Sequence, residues 1–161
     1  MPDVPRNGRQ ARVRIVHPTS VAGPLVSTLS GTAMTWLSLI SVLVGGAIGS
    51  ALRWIVGLAL NPIVPNLPLG TLAVNLIGGF VIGAAIAYFD HFHNLPPEWR
   101  LFVITGLCGG FTTFSAFSGE TVNLLMREEY GWSLAIVGAH VFGSLAMTLA
   151  GLAAVRLILK T

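Results

Sequence analysis

Four apolar stretches, each long enough to cross a bilayer, constrain this chain more than any motif it carries. They run Trp36–Leu60, Leu69–Phe89, Leu101–Met126 and Trp132–Leu159. In a helix, about 20 apolar residues cover the ~30 Å hydrocarbon core. The gaps hold turn or interface chemistry: Asn61-Pro62 to Pro68, Asp90 to Pro97, and Arg127 to Gly131. Trp36, Trp99, Tyr130 and Trp132 stand at span ends, where amphipathic rings favour the headgroup layer. No stretch alternates with period two, and each far exceeds the ~10 residues of a tilted barrel strand. Only 9% of the residues are charged and the mean hydropathy is +0.78. A soluble domain carries about 25% charged residues, so this chain has too little polar surface to stay in water. The predicted fold class is an all-α membrane protein, a four-transmembrane-helix bundle of residues 34–161. A bundle this small needs a partner to enclose a path through the membrane.

Residues 1–33 read differently. They hold Arg6, Arg9, Arg12 and Arg14, four prolines among the first 24 residues, and no sustained apolar run. This predicts a disordered basic tail. The stretch VAGPLVSTLS is too broken for the apolar core of a secretory signal. Because Met34 directly precedes the first span, an upstream start codon is an equal explanation of the tail. An even number of spans puts both termini and the second loop on one side. Without the tail that side carries Arg100, Arg156 and Lys160, against Arg53 and Arg127 on the other. So slight a bias lets a chain insert either way up, whereas the four tail arginines would fix the termini in the cytoplasm. Cys108 is the only cysteine, which excludes an intrachain disulfide and reads as a small packing residue.

The third span interrupts its own hydrophobicity with GLCGGFTTFSAFSGE, Gly106 to Glu120. Polar groups at bilayer depth survive only inside protein or beside a water-filled path, which makes this segment the expected functional centre. Gly106, Gly109 and Gly110 weaken the helix before Thr112-Thr113 and invite a local break. A broken helix exposes carbonyl oxygens, which bind small cations such as Na⁺. Phe114 and Phe117, three apart, share one helical face. They either pack as ordinary aromatics or turn their positive ring edges to a passing anion. Glu120 continues that face, and is expected to be hydrogen-bonded in the wall or near the interface.

Polar residues elsewhere fall into stripes. Thr71 and Asn75 lie four apart in span two, and His140, Ser144 and Thr148 form an i, i+4, i+8 row in span four. Such rows serve helix–helix hydrogen bonding or line a pathway, and do not choose the sign of an ion. Arg53 either snorkels to the interface or adds positive potential at the mouth of an anion path. The pairs Gly45/Gly49 and Gly79/Gly83 read as close helix packing.

Taken together, GGAIGSALRW, PLGTLAVNLIGGFVIG, GLCGGFTTFSAFSGE and GWSLAIVGAHVFGSLAMT resemble the Fluc fluoride channels, also called the CrcB family, over residues 36–158. The resemblance implies an antiparallel, dual-topology homodimer in the cell (inner) membrane, with a broken third helix and two fluoride pores. It implies a passive F⁻ exit that lowers cytoplasmic fluoride, and a central Na⁺ that is structural and not transported. The partners it implies are fluoride, the lipid bilayer and a second copy of the chain, with no nucleic acid. By position, the carbonyls of Gly109 and Thr112 would hold the Na⁺. Asn75, Phe114, Phe117, His140, Ser144 and Thr148 would line the pore. Arg53, Thr71, Ser115 and Glu120 would take vestibule or supporting places. The sequence departs from the pattern at Ala116, where threonine is common, and at His140, where tyrosine or asparagine is expected. A protonated His140 would add charge inside the path, so conduction is expected to be pH-sensitive.

Other classes fit less well. A small proton-coupled exporter needs an embedded carboxylate, and only Glu120 is available. An intramembrane hydrolase built from Ser115 or Ser144 with His140 lacks a third orienting group. Asp90-His91-Phe92-His93 falls short of a metal-ligand set and reads as solvated loop.

Overall fold

The computed structural model describes residues 35–64 and 67–160; the predicted tail at 1–33 lies outside them. Among the described residues the architecture is all-helical, and four helices are long and apolar enough to cross a membrane. The chain is a multi-pass membrane protein.

Span one is Trp36–Leu60, opened by Thr35, whose Oγ1 accepts the Ser38 N–H at 3.1 Å. A 3-10 turn, Asn61–Ile63, follows it. Span two, Leu69–His91, starts after Pro68, which has no side-chain acceptor for the first N–H groups. Asn61 supplies one from across the loop. Its Oδ1 accepts from the N–H of Gly70 at 2.8 Å and of Thr71 at 3.2 Å.

Span three is composite. An α-turn, Pro97–Arg100, leads into a π-helical stretch, Leu101–Cys108, and then a short α-segment, Gly109–Phe111. Thr112 (φ −82°, ψ 161°) and Thr113 (φ −152°, ψ 119°) are extended. Helix resumes at Phe114 and runs to Met126, capped by Thr113, whose Oγ1 accepts the Ala116 N–H at 3.1 Å. After a turn with Glu128 at φ 60°, span four occupies Tyr130–Leu159. Three spans outrun the apolar stretches: span two reaches His91, and spans three and four begin at Pro97 and Tyr130. Hydropathy marks the hydrocarbon core, whereas helical hydrogen bonding carries on into the interface.

The helices pair as two against two. Span two packs chiefly on span four, and span one on the first half of span three. Each seam depends on a glycine that allows backbone contact. A Cβ on Gly83 would overlap the Thr148 carbonyl oxygen, and one on Gly49 would overlap that of Leu107. The buried apolar core is small, centred on Phe117, Leu124 and Ile136. Many large side chains, including Trp36, Leu58, Phe142 and Leu149, point outward. In water that surface would be a liability, but in lipid it is the solvated face.

Candidate functional site

Asn75 organises the interruption in span three. Its Oδ1 accepts the Thr113 N–H at 2.8 Å, and its Nδ2 donates to the Thr113 carbonyl at 2.9 Å. The side-chain amide thus pairs with both backbone groups of an extended residue, as a strand neighbour would. In a continuous helix the Thr113 N–H would go to the Gly109 carbonyl, four residues back. Diverted to Asn75, it leaves that carbonyl without its helical partner. The Ala116 N–H is diverted in the same way: it donates to Thr113 Oγ1 rather than to the Thr112 carbonyl. The interruption thus removes the helical partners of the carbonyls from Gly109 to Thr112, those of Gly109 and Thr112 among them. A Cβ added at Gly109 would meet nothing within 4 Å, so the approach to that residue is open.

A cavity of about 470 Å³ lies beside this point. Its polar lining comes from Asn75, Thr112, Thr113, His140, Ser144 and Thr148, and its aromatic lining from Phe114 and Phe117. Phe114 and Phe117 meet edge-on, with centroids 5.5 Å apart and planes at 65°. His140 stacks on Phe117 at 4.5 Å and is only 5% exposed. Its Nδ1 lies 3.0 Å from Asn75 Nδ2, while its Nε2 is buried without a partner. The Thr148 hydroxyl turns back on its own helix, donating to the Ser144 carbonyl at 2.9 Å. It therefore presents oxygen rather than hydrogen to the cavity in this rotamer.

The remaining site residues gather elsewhere. A second cavity, about 440 Å³, is lined by Arg53, Asn61, Thr71 and Glu120 among others. The Thr71 hydroxyl donates to Glu120 Oε1 at 2.6 Å. Glu120 Oε2 and Arg53 Nε are both buried without partners. Thr71 keeps the face it shares with Asn75 but opens on this second cavity, where it and Glu120 are hydrogen-bond partners across spans two and three. Ser115 is exposed and lies 3.2 Å from the Thr113 hydroxyl, outside both cavity linings.

Two residues that order the site, Thr113 and Asn61, are not among the site residues expected from the sequence. Thr113 supplies a cap and both backbone groups that Asn75 holds, and a threonine three residues before a helical N–H is a detectable signal. Asn61 holds the start of span two from nine residues away, a separation with no local signature.

A lipid-facing helical bundle that gathers polar side chains beside a helix interruption fits the class of membrane transport proteins. The chain belongs to the CrcB family: the family model described as "CrcB-like protein, Camphor Resistance (CrcB)" matches residues 40–152. It is 58% identical over 112 residues to the fluoride-specific ion channel FluC of Nitrosospira multiformis, covering 70% of this chain and 88% of that protein. It is 53% identical over 120 residues to the FluC of Nitrosomonas europaea, covering 74% and 94%. It is also 53% identical over 117 residues to the FluC of Pseudomonas aeruginosa, covering 73% and 92%. Those names describe channels, not enzymes.

Proposed function

We propose that this chain is a fluoride-specific channel that lets F⁻ leave the cell passively, so that cytoplasmic fluoride falls. The single observation that carries the reading is the open cavity lined by Asn75, Phe117, His140, Ser144 and Thr148 along an otherwise apolar bundle. Fluoride is small and strongly hydrated, and loses its water only where hydrogen-bond donors and positive ring edges replace it. Hydroxyl, amide and imidazole groups can do this without a fixed cation that would trap the ion. Conduction needs entry sites that bind and also release. Ala116 contributes no hydroxyl beside the phenylalanines, so the donors of spans two and four carry more of the task here.

The working unit in this proposal is an antiparallel, dual-topology homodimer in the inner membrane, in which the interruption at Thr112-Thr113 acts as a broken helix. The freed carbonyls of Gly109 and Thr112 suit a Na⁺ ion, since neutral oxygens are its preferred ligands. Two carbonyls are too few for one ion, and a second copy of the chain would supply a matching pair. Such an ion would hold the subunits together and would not be transported. Arg53 and the Thr71–Glu120 pair sit in a separate cavity and act as vestibule or supporting groups.

The test is ion efflux from proteoliposomes at symmetric pH. Electrogenic F⁻ efflux with Cl⁻ retained supports the channel. F⁻ movement that requires a proton gradient would instead support a proton-coupled exporter with Glu120 as carrier.

A further inference from the structure

Near the loop that joins spans two and three, a third cavity of about 520 Å³ opens between spans two, three and four. It shares no lining residue with the other two. Small side chains at Ala84 and Ala85 make room for it, and Val103 of span three and Val155 of span four flank it. Tyr88 and Trp99 also line it, and they are 44% and 58% exposed, so the groove is open to its surroundings. Along span two the lining runs from Val81 to Phe89, about 12 Å of helix. One leaflet supplies about 15 Å of hydrocarbon, half of the ~30 Å core, so the groove follows most of the leaflet on the side of the termini. An apolar slot of that length suits an extended hydrocarbon chain. The two rings belong to the residue types that favour the headgroup level.

The charges at that end have the matching sign. Arg100 directly follows Trp99, Arg156 directly follows Val155, and both are exposed. Spans two and four run the same way, and a Cβ on Gly151 would meet the Ala84 nitrogen at 3.0 Å. Phe89 and Arg156, five residues further along each span, therefore reach one level, at the outer end of the groove. Lys160 follows one turn beyond Arg156. Among the described residues Asp90 and Glu98 are the acids on this side, fewer than the three cations Arg100, Arg156 and Lys160.

We propose that this groove seats one acyl chain of an anionic phospholipid from the leaflet on the side of the termini, with its phosphate held by Arg100 and Arg156. A zwitterionic head offsets its own phosphate with a cation, whereas an anionic head leaves that charge for the arginines. Each methylene in the groove strengthens the hold. The seat lies apart from the polar cavity and does not depend on which ion the protein passes.

The test takes the full-length protein in phosphatidylcholine vesicles, doped with phosphatidylglycerol or phosphatidylcholine brominated along the acyl chain. Bromine quenches tryptophan on contact, and the difference between wild type and Trp99→Phe isolates the Trp99 emission. Brominated phosphatidylglycerol is expected to quench Trp99 at a mole fraction roughly fivefold or more below that needed with brominated phosphatidylcholine, the ratio one surface arginine gives. Arg100→Gln with Arg156→Gln should remove that preference. Ala84→Leu, which fills the groove from span two, should leave only the weaker quenching with either lipid. Equal quenching by both lipids in the wild type overturns the proposal without any variant having to fold. So does a preference that survives the paired arginine substitutions or is untouched by Ala84→Leu. A Trp99 that neither lipid quenches overturns it as well, and marks the groove as covered by a second copy of the chain.

Discussion

The two sides of the Thr112-Thr113 interruption meet opposite requirements. Before it, Gly106 and Gly110 lie directly against the backbone of Gly45 and Gly46, and an added Cβ at either would press on main-chain atoms of span one. After it, Thr113 is hydrogen-bonded to Asn75 and Phe117 is stacked on His140, beside the cavity. The first side fails if an atom is added, and the second if a donor is lost. The glycines at 106 and 110 are therefore accounted for by helix approach. The interruption itself has a separate cause, in Asn75 and the Thr113 hydroxyl, which take the N–H groups that would have continued the helix.

Several changes would break this division or sharpen it. The largest effect belongs to the seams. Gly49→Val should cost at least about 1–3 kcal/mol by overpacking and remove most monodisperse protein after detergent extraction, whereas Gly138→Ala, with no neighbour within 4 Å, should not. Equal yields from both variants would show the seam to be loose.

On the cavity side, Phe117→Ile should leave the assembly intact and cut fluoride flux roughly tenfold, the scale of one aromatic contact of about 1.4 kcal/mol. Unchanged flux would reduce the ring to packing. Replacing Na⁺ with N-methylglucamine on both sides should lower the dimer fraction severalfold on size-exclusion chromatography if the Gly109 and Thr112 carbonyls hold the ion. An unaltered elution profile would contradict that assignment.

Thr113→Ala removes the cap together with the Ser115 contact and should lower unfolding stability by about 1 kcal/mol, read as a shift in thermal denaturation. The smallest effect concerns acidity. A proton on His140 Nδ1 would oppose the Asn75 donor 3.0 Å away, so acidification should change wild-type flux. His140→Asn should flatten that response, and an identical pH profile in the variant would dismiss His140 as its source.

Much of this arrangement is legible in the sequence, and the legible part has a common cause. The spans follow from transfer of apolar residues out of water, a property each residue carries alone. The stripes Thr71/Asn75 and His140/Ser144/Thr148 follow from helical periodicity, another local rule. What periodicity does not contain is the partner. Thr71 and Asn75 share a face, yet Thr71 pairs with Glu120 in one cavity while Asn75 pairs with Thr113 and His140 in the other. The capping of span two by Asn61 and the π-helical stretch at Leu101–Cys108 depend in the same way on neighbours brought close by tertiary packing.

The central claim is that the interrupted third span borders a path for fluoride and not for chloride. A planar bilayer holding the purified protein, with fluoride on one side and chloride on the other, measures this directly as a reversal potential. A potential set by the fluoride gradient alone, in either orientation of the salts, is the predicted result. A potential near zero, showing equal passage of both anions, or one that follows the proton gradient, would contradict it.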